Sequence, residues 1–351
     1  MPNRDPLTPY VRIDQQKTLA NIERFQRLCD STGIDFRPHI KTHKQPLVGH
    51  WQIDAGAVGI NCQKLSEAEV FAQAGFDDLL ITYNILGRER LNRLAALNRQ
   101  CKLTVTADHA FVVDGLASIA SQDTPLSVMV ECNTGANRCG VPTSEQALEL
   151  AKHILSKDGL RFSGLMTYPP AGRIKAVNQW LTDAIALFDR AGIAIPVVSS
   201  GGAPDMWQLQ SMKGITEYRC GTYVYNDRSL LERGVCQLED CALTLEVTVV
   251  STPEPGRVVI DGGSKALSSD LLGLDGFGLI VQYPLASIVS LSEEHGVVDV
   301  SRCPQSPAIG DRLSIIPNHA CVVSNLYDHV WLAQLDGILT RLDVVARGCV
   351  F

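Results

Sequence analysis

The sequence predicts an α/β fold, a (β/α)8 TIM barrel with a second, mostly β domain at its C-terminal end. Two observations support this prediction. Short β-branched runs alternate with longer helical patterns from about residue 35 to residue 222, which is typical of strand–helix units. From about residue 240 the runs become short and strand-like, with few helices between them. We expect a barrel over residues 16–235 and a β domain that combines residues 1–15 with 236–351.

Eight candidate strands set the order of the barrel. They cover residues 36–41, 57–61, 79–83, 102–106, 127–132, 162–168, 196–200 and 216–222. The helical segments between them carry start and stop signals, since TSEQ at 143–146 has a capping pattern and Gly75 and Gly192 end two amphipathic segments. A doubly wound open sheet is the main alternative, because this pattern does not by itself close a barrel.

The β domain is predicted from five apolar runs. They are LTLEVTVVS, GRVVIDGG, GLIVQY, DRLSIIPN and LTRLDVVARG, between residues 243 and 348. The N-terminal TPYVRID is expected to add a strand to this domain before the first barrel helix, TLANIERFQRLCDSTG.

Composition indicates a cytoplasmic protein. The 351 residues carry 31 basic and 38 acidic side chains, a formal charge of −7, which disfavours nucleic acid and anionic membranes as partners. We find no apolar signal segment and no apolar run long enough for a transmembrane helix. The 11 cysteines are odd in number and form no CxxC pair, as expected for a reduced compartment.

Polar residues and glycines follow most of the predicted strands, where barrel enzymes place their functional groups. In chain order they are Lys41, Cys62, Gln63, Tyr83, Asn84, Asn133, Arg138, Tyr168, Gly201, Gly202, Gly221 and Thr222. Glycines after the seventh and eighth strands match the phosphate site of many barrels. A phosphate site beside the strand-end Lys41 is what pyridoxal 5'-phosphate requires, because the amine can form a Schiff base with the cofactor. Taken singly, Lys41 is more typical of a solvated surface lysine, and the glycine pairs are more typical of turns. Arg138 alone is compatible with a structural ion pair.

A second cluster lies at IIPNHACVVSNLYD, late in the chain. His319 and Cys321 are two residues apart, and in an extended segment such residues share one face. An imidazole and a thiolate suit Zn²⁺, and two protein ligands would leave positions open for water or substrate. A chance His-x-Cys spacing is the alternative.

Seven motifs, in order, resemble the D-threonine aldolase / D-serine dehydratase family. They are RPHIKTHK, ECNTGANRCGV, SSGGAP, CGTYVYND, DGGSKALSSD, LSEEHG and PNHAC. Members of this family are fold-type III pyridoxal-phosphate enzymes related to alanine racemase, and the resemblance spans nearly the whole chain. It implies a homodimer that acts on a small D-amino acid.

The resemblance also implies residue roles. Lys41 would be the Schiff-base lysine and would remove the Cα proton, while Arg138 would contact the phenolic oxygen of the cofactor. Either Tyr168 or Arg219 would lie near the pyridine nitrogen. His319 and Cys321 would bind the metal beside the substrate β-hydroxyl. The phosphate would be held by Gly201, Gly202, Ala203, Gly221, Thr222 and Tyr223.

Two segments depart from the family pattern. Ala203 and Asp205 stand where the family usually has hydroxyl side chains, and PPAG follows Tyr168 in place of the usual glycine and histidine. The residues on the substrate side, and with them the substrate specificity, are therefore left open.

The resemblance implies a lyase with two possible outcomes. The family's aldolases tend to have His-x-Asp, which suits Mn²⁺ or Mg²⁺, whereas its dehydratases have the His-x-Cys found here, which suits Zn²⁺. We therefore expect a zinc-dependent dehydratase of D-serine or 3-hydroxy-D-aspartate, with D-threonine aldolase as the alternative. An amino-acid racemase, with Tyr283 or Tyr327 as the second acid, and a pyridoxal-phosphate homeostasis protein are two further hypotheses.

Overall fold

The computed structural model describes residues 6–351, whose contacts divide the chain into two compact units. The barrel unit contains residues 24–41, 46–221 and 349–351, and the sheet unit contains residues 6–23, 42–45 and 222–348. The predicted domain boundaries, at residues 16 and 235, are based on the order of strands and helices, whereas these two units are defined by contacts. The domain boundaries therefore stay a prediction.

The barrel unit contains eight parallel strands, and the prediction of a (β/α)8 barrel is confirmed. From the second strand on, each strand pairs with the next one along the chain, and the eighth pairs with the first through Asp35 and Glu217. A parallel bridge between His39 and Asn61 joins the first strand to the second, so the sheet closes on itself. The strands are Asp35–Phe36, Ile60–Cys62, Asp78–Ile81, Lys102–Ala107, Leu126–Cys132, Leu160–Thr167, Val197–Ser200 and Glu217–Tyr218.

The first and eighth strands are shorter than predicted. In the first, the regular strand ends at Phe36, although the N–H groups of Arg37 and His39 still donate to the carbonyls of Tyr218 and Cys220. The 3-10 turn Ile40–Thr42 follows. In the eighth, the strand ends at Tyr218, shortly before the 3-10 turn Thr222–Val224.

Helices separate the barrel strands as the apolar periodicity predicts. Thr143 caps one of them by accepting a hydrogen bond from the N–H of Gln146. Another, Ile174–Arg190, buries Val177, Leu181 and Phe188 along one stripe. The helices are Gln15–Thr32, Pro46–Asp54, Leu65–Gln73, Arg88–Asn98, Ala110–Ala117, Ser144–Leu155 and Ile174–Arg190, with a 3-10 segment at Ala203–Ser211.

The sheet unit is built on a nine-stranded mixed sheet. Its strands are Tyr10–Asp14, Leu243–Glu254, Arg257–Ile260, Leu279–Ile280, Ser287–Leu291, Gly296–Asp299, Arg312–Ile316, His329–Ala333 and Leu339–Asp343. The prediction that TPYVRID adds a strand is confirmed, since Tyr10–Asp14 pairs antiparallel with Leu243–Glu254 and parallel with His329–Ala333. Short helices occur at Arg228–Glu232, Ser264–Leu267 and Ala320–Leu326, with a 3-10 turn at Leu238–Asp240.

Over residues 6–351, every helix is too short or too polar to span a lipid bilayer.

Candidate functional site

The inner face of the barrel changes from apolar to polar along its strands. Leu80, Met129 and Met166 form a buried cluster with Val197. Side chains two residues apart on a strand share a face. The residues two positions after Leu80, Met129 and Val197 therefore lie on the same face. They are Thr82, Glu131 and Ser199, and all three are buried. The polar layer follows the apolar one toward the C-terminal ends of the strands.

Arg219 lies in this polar layer and is almost fully buried. Its Nε donates to Ser199 Oγ at 2.7 Å, its Nη2 donates to the carbonyl of Thr167 at 2.7 Å, and its Nη1 donates to Asn61 Oδ1 at 3.3 Å. All three acceptors are neutral, and burial lowers the pKa of the guanidinium, against the opposing charges of Glu217 and Glu131. Two of its five N–H groups have no acceptor among the described residues.

A chain of buried polar contacts continues from Arg219 to Arg37. Ser199 donates its hydroxyl to Glu217 at 2.5 Å, and the other carboxylate oxygen of Glu217 accepts from Arg37 Nε at 2.7 Å. Arg37 also donates to Asp78 at 2.7 Å. A Cβ on Gly59 would lie 2.4 Å from the Arg37 guanidinium, so only glycine leaves room for this pairing.

Glu131 is a second buried carboxyl group on the inner face. Burial and the charge of Asp108 raise its pKa to about 7, although Arg219 and Arg138 oppose the shift. A carboxyl group with such a pKa holds a proton near neutral pH and belongs to the class often found at functional sites.

Lys41 is the middle residue of the 3-10 turn that follows the first barrel strand. Its side chain is half-buried, and its amine has no hydrogen-bond or ion-pair partner among residues 6–351. The turn is fixed from its backbone, because the N–H of Lys41 donates to His39 Nδ1 at 3.3 Å. His39 in turn contacts Gln63 at 3.1 Å, so the residue after the second strand supports the turn of the first.

The loop after the fifth strand brings Arg138 against Tyr168, the residue after the sixth. The Arg138 guanidinium lies 4.9 Å from the centre of the Tyr168 ring, and both side chains are exposed. Asn133 Oδ1 accepts two backbone N–H groups of this loop, and Asp108 accepts the N–H of Gly140 at 2.9 Å. The loop that carries Arg138 is therefore held from both ends.

After the seventh strand, Gly201 and Gly202 bring the backbone close to the eighth. Gly201 has φ +133°, and a Cβ there would lie 2.7 Å from the carbonyl oxygen of Arg219. The Tyr218 hydroxyl donates to the carbonyl of Gly202 at 2.7 Å. Ala203 then begins a 3-10 helix whose first backbone N–H groups have no partner within the helix.

The two departures from the family pattern meet each other in the structure. The carboxylate of Asp205, which is buried, accepts the N–H of Gly172 at 2.9 Å and 3.2 Å. Asp205 therefore binds the loop that follows Tyr168, which contains the PPAG segment. Pro170 of the same loop lies next to Gly135, where a Cβ would be 3.4 Å away.

Three residues that are predicted to bind phosphate remain, namely Gly221, Thr222 and Tyr223. Gly221 is buried in the barrel unit. In the sheet unit, the carbonyl of Thr222 accepts the N–H of Asn226 at 2.7 Å, which closes a tight turn. Tyr223 lies within this turn and is 1% exposed.

His319 and Cys321 come together in the sheet unit, but the predicted extended segment is wrong. His319 is the N-cap of the helix Ala320–Leu326, and Cys321 lies in its first turn. Both residues therefore lie at the start of the same helix. Burial opposes charge on His319, but Cys321, Asp270 and Asp227 raise its pKa to about 9. Over residues 6–351, no group of three or more potential metal ligands forms.

Three further residues surround this pair, and sequence reasoning missed them. The Thr42 hydroxyl is 3.1 Å from Cys321 Sγ, and Asp270 Oδ2 is 2.8 Å from His319 Nδ1. Asp227 is fully buried and accepts the N–H of Ala320 at 3.0 Å, between the two ligand candidates. Thr42 lies in the motif KTHK, Asp227 in YVYND and Asp270 in KALSSD. The spacing of these motifs in the sequence does not indicate that the three residues lie near His319 and Cys321.

Glutamates of LSEEHG have a structural role in the sheet unit. Glu293 and Glu294 form ion pairs with Lys265 at 3.0 Å and 2.7 Å. His295 closes the hairpin between Ser287–Leu291 and Gly296–Asp299, where its carbonyl accepts the N–H of Ser292.

Comparison with known families identifies both parts of the chain. Residues 13–229 match the alanine racemase N-terminal domain, and residues 242–333 match a serine dehydratase domain. Two similar relatives are a D-threonine aldolase of Arthrobacter sp and a D-threo-3-hydroxyaspartate dehydratase of Delftia sp. The first is 30% identical over 98% of this chain and 94% of its own. The second is 29% identical over 94% of this chain and 95% of its own.

Solved structures agree with these matches. A crystal structure of the D-threonine aldolase of Filomicrobium marinum superposes with a TM-score of 0.90, 28% identity and full coverage of both chains. A structure of D-threo-3-hydroxyaspartate dehydratase with a cysteine replaced by alanine, in the metal-free form, gives a TM-score of 0.87. It is 28% identical and covers 96% of this chain and 97% of its own.

Proposed function

The chain belongs to the alanine racemase N-terminal domain family, and from this premise we propose that it is a pyridoxal-phosphate- and zinc-dependent lyase. Its substrate is a β-hydroxy D-amino acid such as D-serine or 3-hydroxy-D-aspartate, which it converts to a keto acid and ammonia. The observation that carries the proposal is the pair His319 and Cys321 at the start of one helix, with the hydroxyl of Thr42, the neighbour of Lys41 in the chain, 3.1 Å from Cys321 Sγ.

Residues of the barrel unit fit pyridoxal phosphate. The Lys41 amine has no competing partner among the described residues, and Arg219 keeps two N–H donors. Gly201 lets the backbone after the seventh strand approach the carbonyl oxygen of Arg219, where a Cβ would clash at 2.7 Å. A further backbone N–H donor comes with Ala203, whereas the N–H of Gly202 donates to the Tyr218 hydroxyl at 3.3 Å. The family resemblance also assigns Thr222 and Tyr223, which belong to the sheet unit, to the phosphate.

The pair in the sheet unit fits a zinc ion. Imidazole and thiolate are the donor types that Zn²⁺ prefers, and a two-residue set leaves positions open for substrate and water. The metal-free structure of a relative in which a cysteine is replaced by alanine supports this assignment. Bound zinc supplies Lewis-acid stabilisation of the charge on a departing hydroxide.

Bound pyridoxal phosphate supplies an electron sink for the negative charge that develops at Cα. Lys41 Nζ would hold the cofactor and would accept the Cα proton of the substrate. Arg138, which lies over the Tyr168 ring, would contact the phenolic oxygen of the cofactor. Arg219 is the better candidate of the two for the pyridine nitrogen, because it is buried and keeps free donors, whereas Tyr168 is 42% exposed.

The first test maps the attachment site. The purified protein is reduced with borohydride, digested, and the labelled peptide is identified. We expect the adduct on Lys41; an adduct on any other lysine would overturn the proposal.

A second test identifies the products. D-serine, D-threonine and 3-hydroxyaspartate are each incubated with the protein, and keto acid, ammonia, glycine and aldehyde are measured. We expect keto acid and ammonia. Glycine and aldehyde as sole products would instead support a D-threonine aldolase, which the 30% identity to the Arthrobacter enzyme keeps as the second candidate.

A third test removes one metal ligand. Cys321→Ala is expected to abolish metal-dependent turnover while the cofactor absorption stays, because Lys41 is untouched. Cys303→Ala, a half-buried cysteine of the same unit, is the matched control and should keep full activity. Turnover by Cys321→Ala that equals the control would remove the metal role.

The proposal includes the setting of the enzyme. We infer a cytoplasmic homodimer whose partner is a small D-amino acid substrate rather than nucleic acid or a membrane. Sedimentation of the purified protein tests the dimer.

A further inference from the structure

Asp270 has a fixed position next to His319. One carboxylate oxygen, Oδ2, lies 2.8 Å from His319 Nδ1, and the other, Oδ1, accepts the N–H of Leu272 at 3.2 Å. The backbone N–H of Asp270 donates to Ser268 Oγ at 3.1 Å. Both carboxylate oxygens and the backbone of Asp270 therefore have partners, and the side chain cannot turn without losing them.

The loop that carries Asp270 is also tied to the segment that carries His319. Asn318 donates its side-chain amide to the carbonyl of Gly276 at 2.8 Å and to that of Leu271 at 3.4 Å. Arg228 donates to the carbonyl of Asp275 at 2.7 Å and to Asn318 Oδ1 at 3.3 Å. An ion pair between two mobile surface side chains is worth little, but here both backbones are held before the pair forms.

The contact with Asp270 determines which ring nitrogen of His319 remains for a ligand. A carboxylate accepts hydrogen bonds only, so the proton of a neutral imidazole must lie on Nδ1. The lone pair is then on Nε2, the other end of the ring. Metal-binding histidines are commonly oriented in this way by a carboxylate on their second nitrogen.

We propose that Asp270 is a positioning residue that holds His319 with Nε2 available for the metal ion and adds a negative charge to its surroundings. This inference rests on the proposed zinc site, and it adds a residue that acts through His319 without touching metal or substrate. With a neutral His319 and a Cys321 thiolate, a Zn²⁺ site carries a net charge of about +1, which Asp270 brings close to zero.

The test measures zinc affinity rather than turnover. The protein, with pyridoxal phosphate bound, is stripped of metal, and zinc is titrated back in competition with a chromophoric chelator. Asp270→Asn keeps an acceptor for Nδ1–H and removes the charge, whereas Asp270→Leu removes both. We expect zinc to bind about 10-fold more weakly to the Asn variant and about 100-fold more weakly to the Leu variant.

Asp299→Asn is the matched control. Asp299 lies in the same unit and accepts the backbone N–H of Ser301 at 2.9 Å, so the substitution removes a charge from a comparable turn. Its zinc affinity should equal that of the unsubstituted protein. Circular dichroism checks folding, and if the Leu variant does not fold, the Asn variant decides.

Cobalt substitution supplies a second readout. The thiolate-to-cobalt absorption band should remain in Asp270→Asn, because Cys321 is unchanged, while the ligand-field bands should shift. If Asp270→Asn and a folded Asp270→Leu both bind zinc as tightly as the control, the inference about Asp270 is wrong, but the proposed function still stands. If the unsubstituted protein binds no zinc, the proposed function itself fails, and the two results are distinguishable.

Discussion

Charged groups are held differently in the two units. In the barrel unit, the side chains of Arg37 and Glu217 are 10% and 6% exposed, and their contacts extend through Ser199 to Arg219. In the sheet unit, His319 and Asp270 keep 26% and 37% exposure, and backbone turns hold them in place. Breaking a buried ion pair leaves an uncompensated charge, whereas a partly exposed one is solvated by water. Substitutions should therefore cost stability in the barrel and metal affinity in the sheet unit.

Glu217→Gln should show the largest effect on stability. It keeps the shape of the side chain but removes one of the two charged partners that Arg37 has among residues 6–351, so that Asp78 remains. We expect the free energy of unfolding to fall by about 4 kcal/mol, measured by urea titration. Glu149→Gln, which removes an exposed pair with Lys152, should change it by less than about 0.5 kcal/mol. If both substitutions lowered the free energy of unfolding equally, the proposed difference between buried and exposed ion pairs would be wrong.

Glu131→Gln should change stability in a pH-dependent way. The pKa of Glu131 is raised from 4.5 to about 7, so the folded protein favours the protonated form. The protonated carboxyl group contributes fully to stability below pH 4.5, which is its pKa in the unfolded chain. This contribution is lost as the pH rises through about 7. The buried charge then costs roughly 3 kcal/mol. The Gln variant should match the parent near about pH 4.5 and be more stable by roughly 3 kcal/mol near about pH 8.5.

Thermal unfolding across this pH range provides the measurement for Glu131→Gln. A constant difference between variant and parent at every pH would show that packing, not the titration of Glu131, sets the effect.

Asp205→Ala should have the smallest effect. It removes the acceptor of the Gly172 N–H and should release the loop after Tyr168 at a cost of about 1 kcal/mol. Arg173 is exposed in this loop, so tryptic cleavage there should become about fivefold faster if loop opening limits it. Asp183→Ala, on the exposed side of the neighbouring helix, should leave the cleavage rate unchanged. If tryptic cleavage is not faster in Asp205→Ala, the proline-rich loop keeps its conformation without the hydrogen bond to Asp205.

The barrel was predictable because each strand–helix unit repeats the same periodicity. The apolar pattern gave all eight strands in order, and Gly75 and Gly192 both follow helix ends. Strand lengths were not predictable where a 3-10 turn follows the strand, as Ile40–Thr42 does after the first. In the sheet unit, Ser287–Leu291, Gly296–Asp299 and His329–Ala333 were missed, because short strands between polar turns carry little periodic signal.

Candidate ligands were predictable, but their supporting residues were not. His319 and Cys321 stand out by residue type and spacing, even though they begin a helix rather than lie on a strand. Asp270 is 49 residues from His319, and Thr42 is 279 residues from Cys321. Such contacts depend on the fold of the whole unit, so a local pattern does not contain them. The role of Asp205 likewise required the position of the Gly172 N–H.

Asp227 limits how this protein can be recombined with its relatives. Its carboxylate caps the helix Arg228–Glu232 and also accepts the N–H of Ala320, 93 residues further along the chain. A chimera with residues 222–240 from one parent and 311–327 from another would put the two sides of this contact in sequences that have not been matched to each other. Crossover points that keep both segments together should give folded hybrids more often than points between them.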